Sequence, residues 1–347
     1  MEKTNQAKTI TIYDIAKEAG VSASTVSRVL TGSASVRQEK KERIQGLIDK
    51  YGFKPNALAK GLSDTSTKTI GIIVADVRNP YYSSLFVACE LAAERAGYHV
   101  SMSNSLGTKD REQAQLDMMQ QQRADAIIQM GGRVDDLVSD ESYSEKVRNL
   151  CSTTPVVVTG KLDKAPVYSV IIDEAESMRL IMEHLHGLGH RKIALVGGDL
   201  AVTSTFYKYR CYQEMLQKYE IRENGEYVVN GSYDPETGYI AMNRILKLKD
   251  RPTAVIAIND FAAAGAIRAM REHNLQIPED ISIVSFDNTY IAELTRPELT
   301  SIDYDYAAFG EKLVNTAIAA ATGQKPAERQ IMKPTLVIRE STGPCRE

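Results

Sequence analysis

No stretch of 18 apolar residues occurs anywhere in the 347-residue chain, so the sequence offers no membrane-spanning helix. The opening MEKTNQAKTITIYD has no apolar core of the kind a secretion signal needs, which sets a cytoplasmic protein as the expectation. Cysteine is scarce. Cys89, Cys151, Cys211 and Cys345 lie far apart without a Cys-x-x-Cys pair, arguing against a zinc ribbon, a thioredoxin-like motif or a disulfide framework. The sequence also lacks a Gly-x-Ser-x-Gly elbow, a Gly-x-x-x-x-Gly-Lys-Ser/Thr loop and a His-Glu-x-x-His pair, so an enzyme reading has little to stand on. His184, His186 and His190 cluster, but 184 and 186 point to different sides of a helix that Gly187 and Gly189 bring to an end. A cationic histidine at a helix C-terminus accounts for them, and neither a metal site nor a cofactor is expected.

The composition, 43% apolar and 25% charged, is that of ordinary globular protein, and the length suits two or three domains. The net charge of −3 hides an asymmetry. Residues 1–66 carry 11 Lys and Arg against 7 Asp and Glu, while the remainder carries 31 against 38. A basic head on an acidic body points to different partners for the two parts, with a polyanion for the head.

Thr11–Leu30 reads TIYDIAKEAGVSASTVSRVL. Ile12, Ile15, Ala16 and Ala19 recur at helical spacing, Gly20 tolerates a positive φ, and Ser22 is placed to cap a second helix carrying Val26, Val29 and Leu30. Helix, tight turn, helix is a pair in which the first member braces the second against a DNA major groove. The exposed face of the second helix would then be Ala23, Ser24, Ser27 and Arg28, residue types able to meet base edges, phosphates and thymine methyls. Residues 37–51 would close a three-helix core with Ile44, Leu47 and Ile48, a unit too small to be more than marginally stable. Next comes KPNALAKGL (54–62), where Asn56 can cap a helix of about two turns that cannot stand alone in water. The polar SDTSTKT (63–69) completes a linker.

These strings carry a specific resemblance. IYDIAKEAGVSASTVSRVL, YGFKPNALAKGL and TIGIIVADVRNPYY resemble the lactose-repressor (LacI/GalR) family of bacterial transcription regulators. The resemblance implies a helix-turn-helix domain over 1–54, a hinge helix and linker over 55–68 and an effector-binding and dimerisation body over 69–347. It also implies a hinge helix that folds between paired protomers on operator DNA, with Leu62 wedged between base pairs in the minor groove. Carried over residue by residue, the DNA-contacting set is Thr11, Tyr13, Ser22, Ala23, Ser24, Thr25, Ser27, Arg28, Asn56, Ala59, Lys60 and Leu62. Thr31 departs from the Asn that the family often has there.

From Thr69 onward, the runs TIGIIVA, YHVSMSN, ADAIIQM, PVVVT, YSVIID, KIALVG, TAVIAI and DISIVSF alternate with helical stretches, predicting an α/β body with parallel sheets. About 280 residues suits two lobes. The expectation is a first lobe over 69–163 and 291–323 and a second over 164–290 and 324–347, with a ligand cleft at the strand ends between them. The resemblance implies the periplasmic-binding-protein type I fold, most specifically through LGHRKIALVGG, GSYDPETGY and IPEDISIVSFDN.

It also implies an effector set: Tyr81, Tyr82, Asp173, Ser204, Lys208, Arg210, Tyr233, Asn259 and Asp287. Lys208 stands where the family often has an arginine, and lysine lacks the planar fork that grips two acceptors at once, so either Arg210 substitutes from a different angle or the ligand is not of the usual sugar kind. The expected regulator, a repressor by this reading, acts as a homodimer on double-stranded operator DNA, without a membrane. Its effector would be a sugar, a sugar phosphate or a nucleobase-like molecule. Two rivals accompany that reading: control by a phosphorylated carrier protein at the surface, with Lys208 and Arg210 meeting a phosphoserine, and a solute-binding protein with no DNA role.

Overall fold

The computed structural model describes residues 10–30, 36–53 and 66–346. It falls into two units, Met1–Thr67 and Lys68–Glu347.

In the first unit, Thr11 opens α1 (Ile12–Ala19) with a reciprocal capping box: its hydroxyl accepts from the Asp14 amide, and its own amide donates to the Asp14 carboxylate at 2.9 Å. Gly20 closes the helix at φ 64°, the left-handed turn the sequence anticipates. The Ser22 hydroxyl accepts from the Thr25 amide at the start of α2 (Ala23–Leu30). Helix α3 (Gln38–Tyr51) completes a core of Ile15, Ala16, Ala19, Val26, Val29, Ile44 and Ile48. Its end is pinned to α1, because Lys50 and Tyr51 both donate to the Glu18 carboxylate at 2.9 and 2.8 Å. The expected hinge helix, with Asn56, Ala59, Lys60 and Leu62, lies outside the described residues, as does Thr31.

The second unit begins with β1 (Thr69–Val74), α4 (Pro80–Arg95), β2 (His99–Asn104), α5 (Lys109–Gln121), β3 (Ala126–Met130), α6 (Glu141–Leu150), β4 (Val156–Val158) and β5 (Tyr168–Ile172). After these come α7 (Glu174–Gly187), β6 (Ile193–Val196), α8 (Thr203–Lys218), β7 (Val228–Val229), α9 (Pro235–Leu246), β8 (Ala254–Ala257), α10 (Asp260–Glu272), β9 (Ser282–Asp287), α11 (Tyr290–Leu294) and β10 (Thr300–Asp303). Then α12 (Tyr306–Ala321), β11 (Arg329–Met332) and β12 (Thr335–Val337) close the chain. The strands form two six-stranded sheets, ordered β11-β5-β4-β3-β1-β2 and β12-β10-β9-β8-β6-β7. Every pairing is parallel except β10 with β12.

Two lobes result, but their borders differ from the expected ones. Strand β5 belongs to the first sheet through Val157–Tyr168 pairing, β10 joins the second by pairing with β9, and β11 returns to the first beside β5. The cause is that hydrophobic periodicity marks where a strand forms but not which sheet it joins. The chain therefore crosses between lobes three times, at 172–174, 303–306 and 332–335.

The second lobe is tightly bound internally. Helices α9 and α10 touch backbone to backbone at Gly238 and Gly265, where any Cβ would strike the Ala262 or Pro235 carbonyl. Asp260, the first residue of α10, is buried and accepts from the Ser285 and Ser301 hydroxyls at 2.6 and 2.7 Å and from the Thr289 amide and hydroxyl. It binds α10, β9, β10 and the loop before α11 together. The histidines serve the C-terminal segment. His184 bonds the Thr342 hydroxyl at 2.9 Å, and His190 bridges the Thr253 hydroxyl and the Gly343 carbonyl at 2.9 and 3.0 Å. Burial holds both below the usual histidine range, so the expected cationic helix cap is replaced by neutral rings that tie down the tail. Among the described residues, no helix is long and apolar enough to cross a membrane.

Candidate effector cleft and DNA-reading helix

The carboxyl ends of the two parallel sheets converge on a cleft of about 730 Å³ between the lobes. The first lobe contributes Tyr81 and Tyr82 from the start of α4, with Arg133, Asp135 and Asp136 from the loop after β3. The second contributes Val202, Ser204, Lys208, Tyr233, Asn259 and Asp287, while Glu174 and Tyr304 enter from two of the crossings.

The floor is charged. The Lys208 ammonium lies 3.3 Å from a Glu174 carboxylate oxygen and 4.2 Å above the Phe286 ring, and its side chain is 6% exposed. Asp287 ends β9 with φ 96°, a left-handed conformation that costs an aspartate about 1–3 kcal/mol and is kept where surrounding structure imposes it. The Tyr306 hydroxyl fixes it by donating to the Asp287 carbonyl at 2.9 Å. Burial pushes the Asp287 carboxyl up to about 8 against the opposing pull of Lys208. Burial also raises Asp135, next to Glu174, to about 7, and it raises Glu174. Three carboxyls thus share one ammonium. The other cations of the cleft are already matched: Arg78 grips Asp76 at 2.7 Å, and Arg133 meets Asp136 at 3.1 Å.

An aromatic wall faces this floor. The Tyr81 ring centre is 5.0 Å from Tyr82, 6.1 Å from Tyr304 and 6.0 Å from Tyr306. On the other side, the Tyr233 hydroxyl shares a hydrogen bond with Thr205 at 2.7 Å, fixing the ring in the cleft. Rings beside carboxylates suit a ligand with apolar faces and a hydroxylated rim.

Of the nine expected effector residues, the structure brings seven to the cleft and leaves two elsewhere. Asp173 is spent as the N-cap of α7, its carboxylate accepting from the Glu176 amide at 3.0 Å, while its neighbour Glu174 lines the cleft instead. Arg210 is exposed on α8 and bound to Glu214 at 3.2 Å, so it does not replace the missing arginine. Because Lys208 is buried while Arg210 faces outward, the two do not form a surface pair for a phosphoserine. Asn259 caps α10, accepting from the Ala262 amide and donating to the Tyr233 carbonyl, while Asp260 braces the second lobe. The sequence reading missed Asp135, Glu174 and Tyr304. Tyr304 directly follows β10, a strand that the sequence reading did not anticipate, and Asp135 comes five residues after β3, beyond a short helical turn.

The raised carboxyls carry a pH prediction. A folded-state pKa above the unfolded value means the folded chain holds a proton that the unfolded chain has released, so stability from these groups is greatest below about pH 4 and is lost progressively as pH rises from there to 7–8. Asp287→Asn keeps the shape, tolerates the left-handed backbone and removes the titration. Its melting temperature should lie closest to wild type near pH 4 and exceed it by a margin that grows up to about pH 8; parallel profiles would refute the burial of that charge.

In the head, Ser24 and Arg28 are exposed on α2, and Ala23, Thr25 and Ser27 are half-buried beside them. Ser22 bonds the Ser24 and Thr25 hydroxyls at 2.8 and 2.9 Å while capping the helix. Thr11 is held by Asp14, and Tyr13 stands 73% exposed.

A three-helix head with an exposed polar face on its second helix, carried in one chain with a two-lobed ligand cleft, defines a class: the ligand-responsive DNA-binding regulators. Comparison with known proteins makes the assignment specific. Residues 11–56 match the model of bacterial regulatory proteins of the lacI family, and residues 182–342 match that of the periplasmic binding protein-like domain. The chain is 32% identical over 337 residues to the HTH-type transcriptional repressor PurR of Mannheimia succiniciproducens, covering 95% of this chain and 98% of that one. It is 34% identical to catabolite control protein A of Staphylococcus xylosus, covering 88% and 92%. The lac repressor dimer bound to operator and the anti-inducer ONPF superposes with a TM-score of 0.87 at 27% identity, covering 97% of this chain and all of that one. The chain belongs to the lacI family and is a transcriptional regulator, not an enzyme.

Proposed function

We propose that this regulator is a repressor that binds operator DNA in the cytoplasm as a homodimer and changes its affinity when a small molecule fills the inter-lobe cleft. The observation that carries this reading is the pairing, in one chain, of an exposed reading helix with a cleft walled by both lobes, so that occupancy favours one lobe angle over another. A single head has too few base contacts for genomic specificity, which is why two are needed. The hinge segment, with Asn56, Ala59, Lys60 and Leu62, would couple lobe angle to DNA by folding only between paired protomers. Carboxylates outnumber cations in the cleft, and its cations are paired, which favours an uncharged hydroxylated effector over a phosphate ester.

Selection of genomic fragments by gel shift, followed by a melting screen of sugars, sugar phosphates and nucleobases, tests the reading. A fragment chosen over competitor DNA and a neutral ligand that raises the melting temperature are expected. Failure to select any fragment across salt and ligand conditions would leave only a solute-binding function. Arg28→Ala should reduce discrimination between the selected site and a mismatched one by about 1–3 kcal/mol, and unchanged discrimination would remove Arg28 from base readout.

A further inference from the structure

Beyond its three covalent crossings, the body has a separate tie between the lobes. The loop after β3 and the loop before α8 run antiparallel past one another at Asp136 and Val202. The Leu137 amide donates to the Ala201 carbonyl, and the Thr203 amide donates to the Asp135 carbonyl, both at 2.7 Å. These bonds join the first lobe to the second through backbone alone. The same short segments line the cleft: Asp135 presents its carboxyl there beside Glu174 and Lys208, Asp136 carries the ion pair to Arg133, and Val202 and Ser204 form the facing wall.

We infer that this two-bond clasp is the latch through which the cleft controls lobe angle, with Leu137 and Thr203 as its positioning residues. The inference rests on the effector-cleft reading and specifies where occupancy acts. Covalent crossings permit the lobes to turn but do not select an angle, whereas a noncovalent tie has two states, made and broken. A ligand that contacts Asp135 or Val202 moves the backbone that makes the bonds. Closure and ligand binding are then linked, each altering the other by the same factor.

Thr203 makes a clean test possible. It is the first residue of α8, where an amide has no partner within the helix, and Val202 before it is extended at φ −95° and ψ 129°. Proline is at home at such a position and tolerates that preceding conformation, so Thr203→Pro deletes the inter-lobe donor and leaves the helix intact. Thr203→Val keeps the amide and removes only a hydroxyl that is buried without a hydrogen-bond partner, providing the control.

In the full-length chain without added ligand, Thr203→Pro should speed hydrogen exchange at the Leu137 amide at least tenfold and change operator Kd at least fivefold, while Thr203→Val matches wild type. Leu137→Pro, which removes the other donor, should reproduce the operator effect and serves if the first variant does not fold. Unchanged exchange at Leu137, or operator affinity equal to that of Thr203→Val, overturns the latch. No ligand enters this experiment, so a misplaced effector site would not affect it; that failure would show itself in a normal effector response of an Asp287 variant.

Discussion

Asp287→Ala is expected to abolish the effector response while operator binding persists. The carboxylate lies at the end of β9, deep in the cleft, with its backbone pinned by Tyr306. A carboxyl group bonded to two ligand hydroxyls contributes about 0.5–1.5 kcal/mol per bond while neutral and more once ionised, so losing both weakens binding about tenfold or more. The head is untouched, because it forms a separate unit with its own core. Stability distinguishes this loss from collapse. Removing a carboxyl that burial holds near 8 relieves a desolvation penalty, so the body should melt no lower at pH 8.5 than wild type, less any cost of alanine at φ 96°. A variant that still answers the ligand would move the site elsewhere.

Ile44→Ala should produce the reverse separation. Ile44 is wholly buried in the head core, and truncating a buried isoleucine to alanine costs about 2–5 kcal/mol. At about 0.05–0.15 kcal/mol per residue, a head of about 45 residues holds only about 2–7 kcal/mol in all. The variant should therefore lose most or all operator binding while the melting transition of the body and its ligand response remain. Calorimetry of the full-length protein checks this, and retention of full operator affinity would show that the head draws stability from a source other than its own core.

Legibility in the sequence followed the range of the interactions involved. Local devices read directly: the Gly20 turn, the Ser22 cap and all eight apolar runs that became strands. Lobe borders did not, because apolar runs show where strands form but not which sheet takes β5, β10 and β11. In the cleft, the family resemblance located Asp287, at the end of β9. It erred by one residue at β5, where an aspartate directly before a helix is taken by the cap and the adjacent glutamate turns inward. Lys208 was recognised as a departure, with either Arg210 or an unusual ligand expected to account for it. The structure answers the lysine with an acid, Glu174, and with the Phe286 ring. With Asp135 and Asp287 beside it, Glu174 gives the cleft an excess of acids, a property of three dimensions that no single motif carries.

The most direct measurement is a linkage titration: operator Kd determined with and without a saturating ligand that raises the melting temperature of the body, alongside ligand Kd determined with and without operator. Coupling between cleft and head predicts that both affinities change by the same factor, of the order of 5- to 150-fold. Identical operator affinity at zero and saturating ligand, with the ligand bound in the cleft, would contradict it.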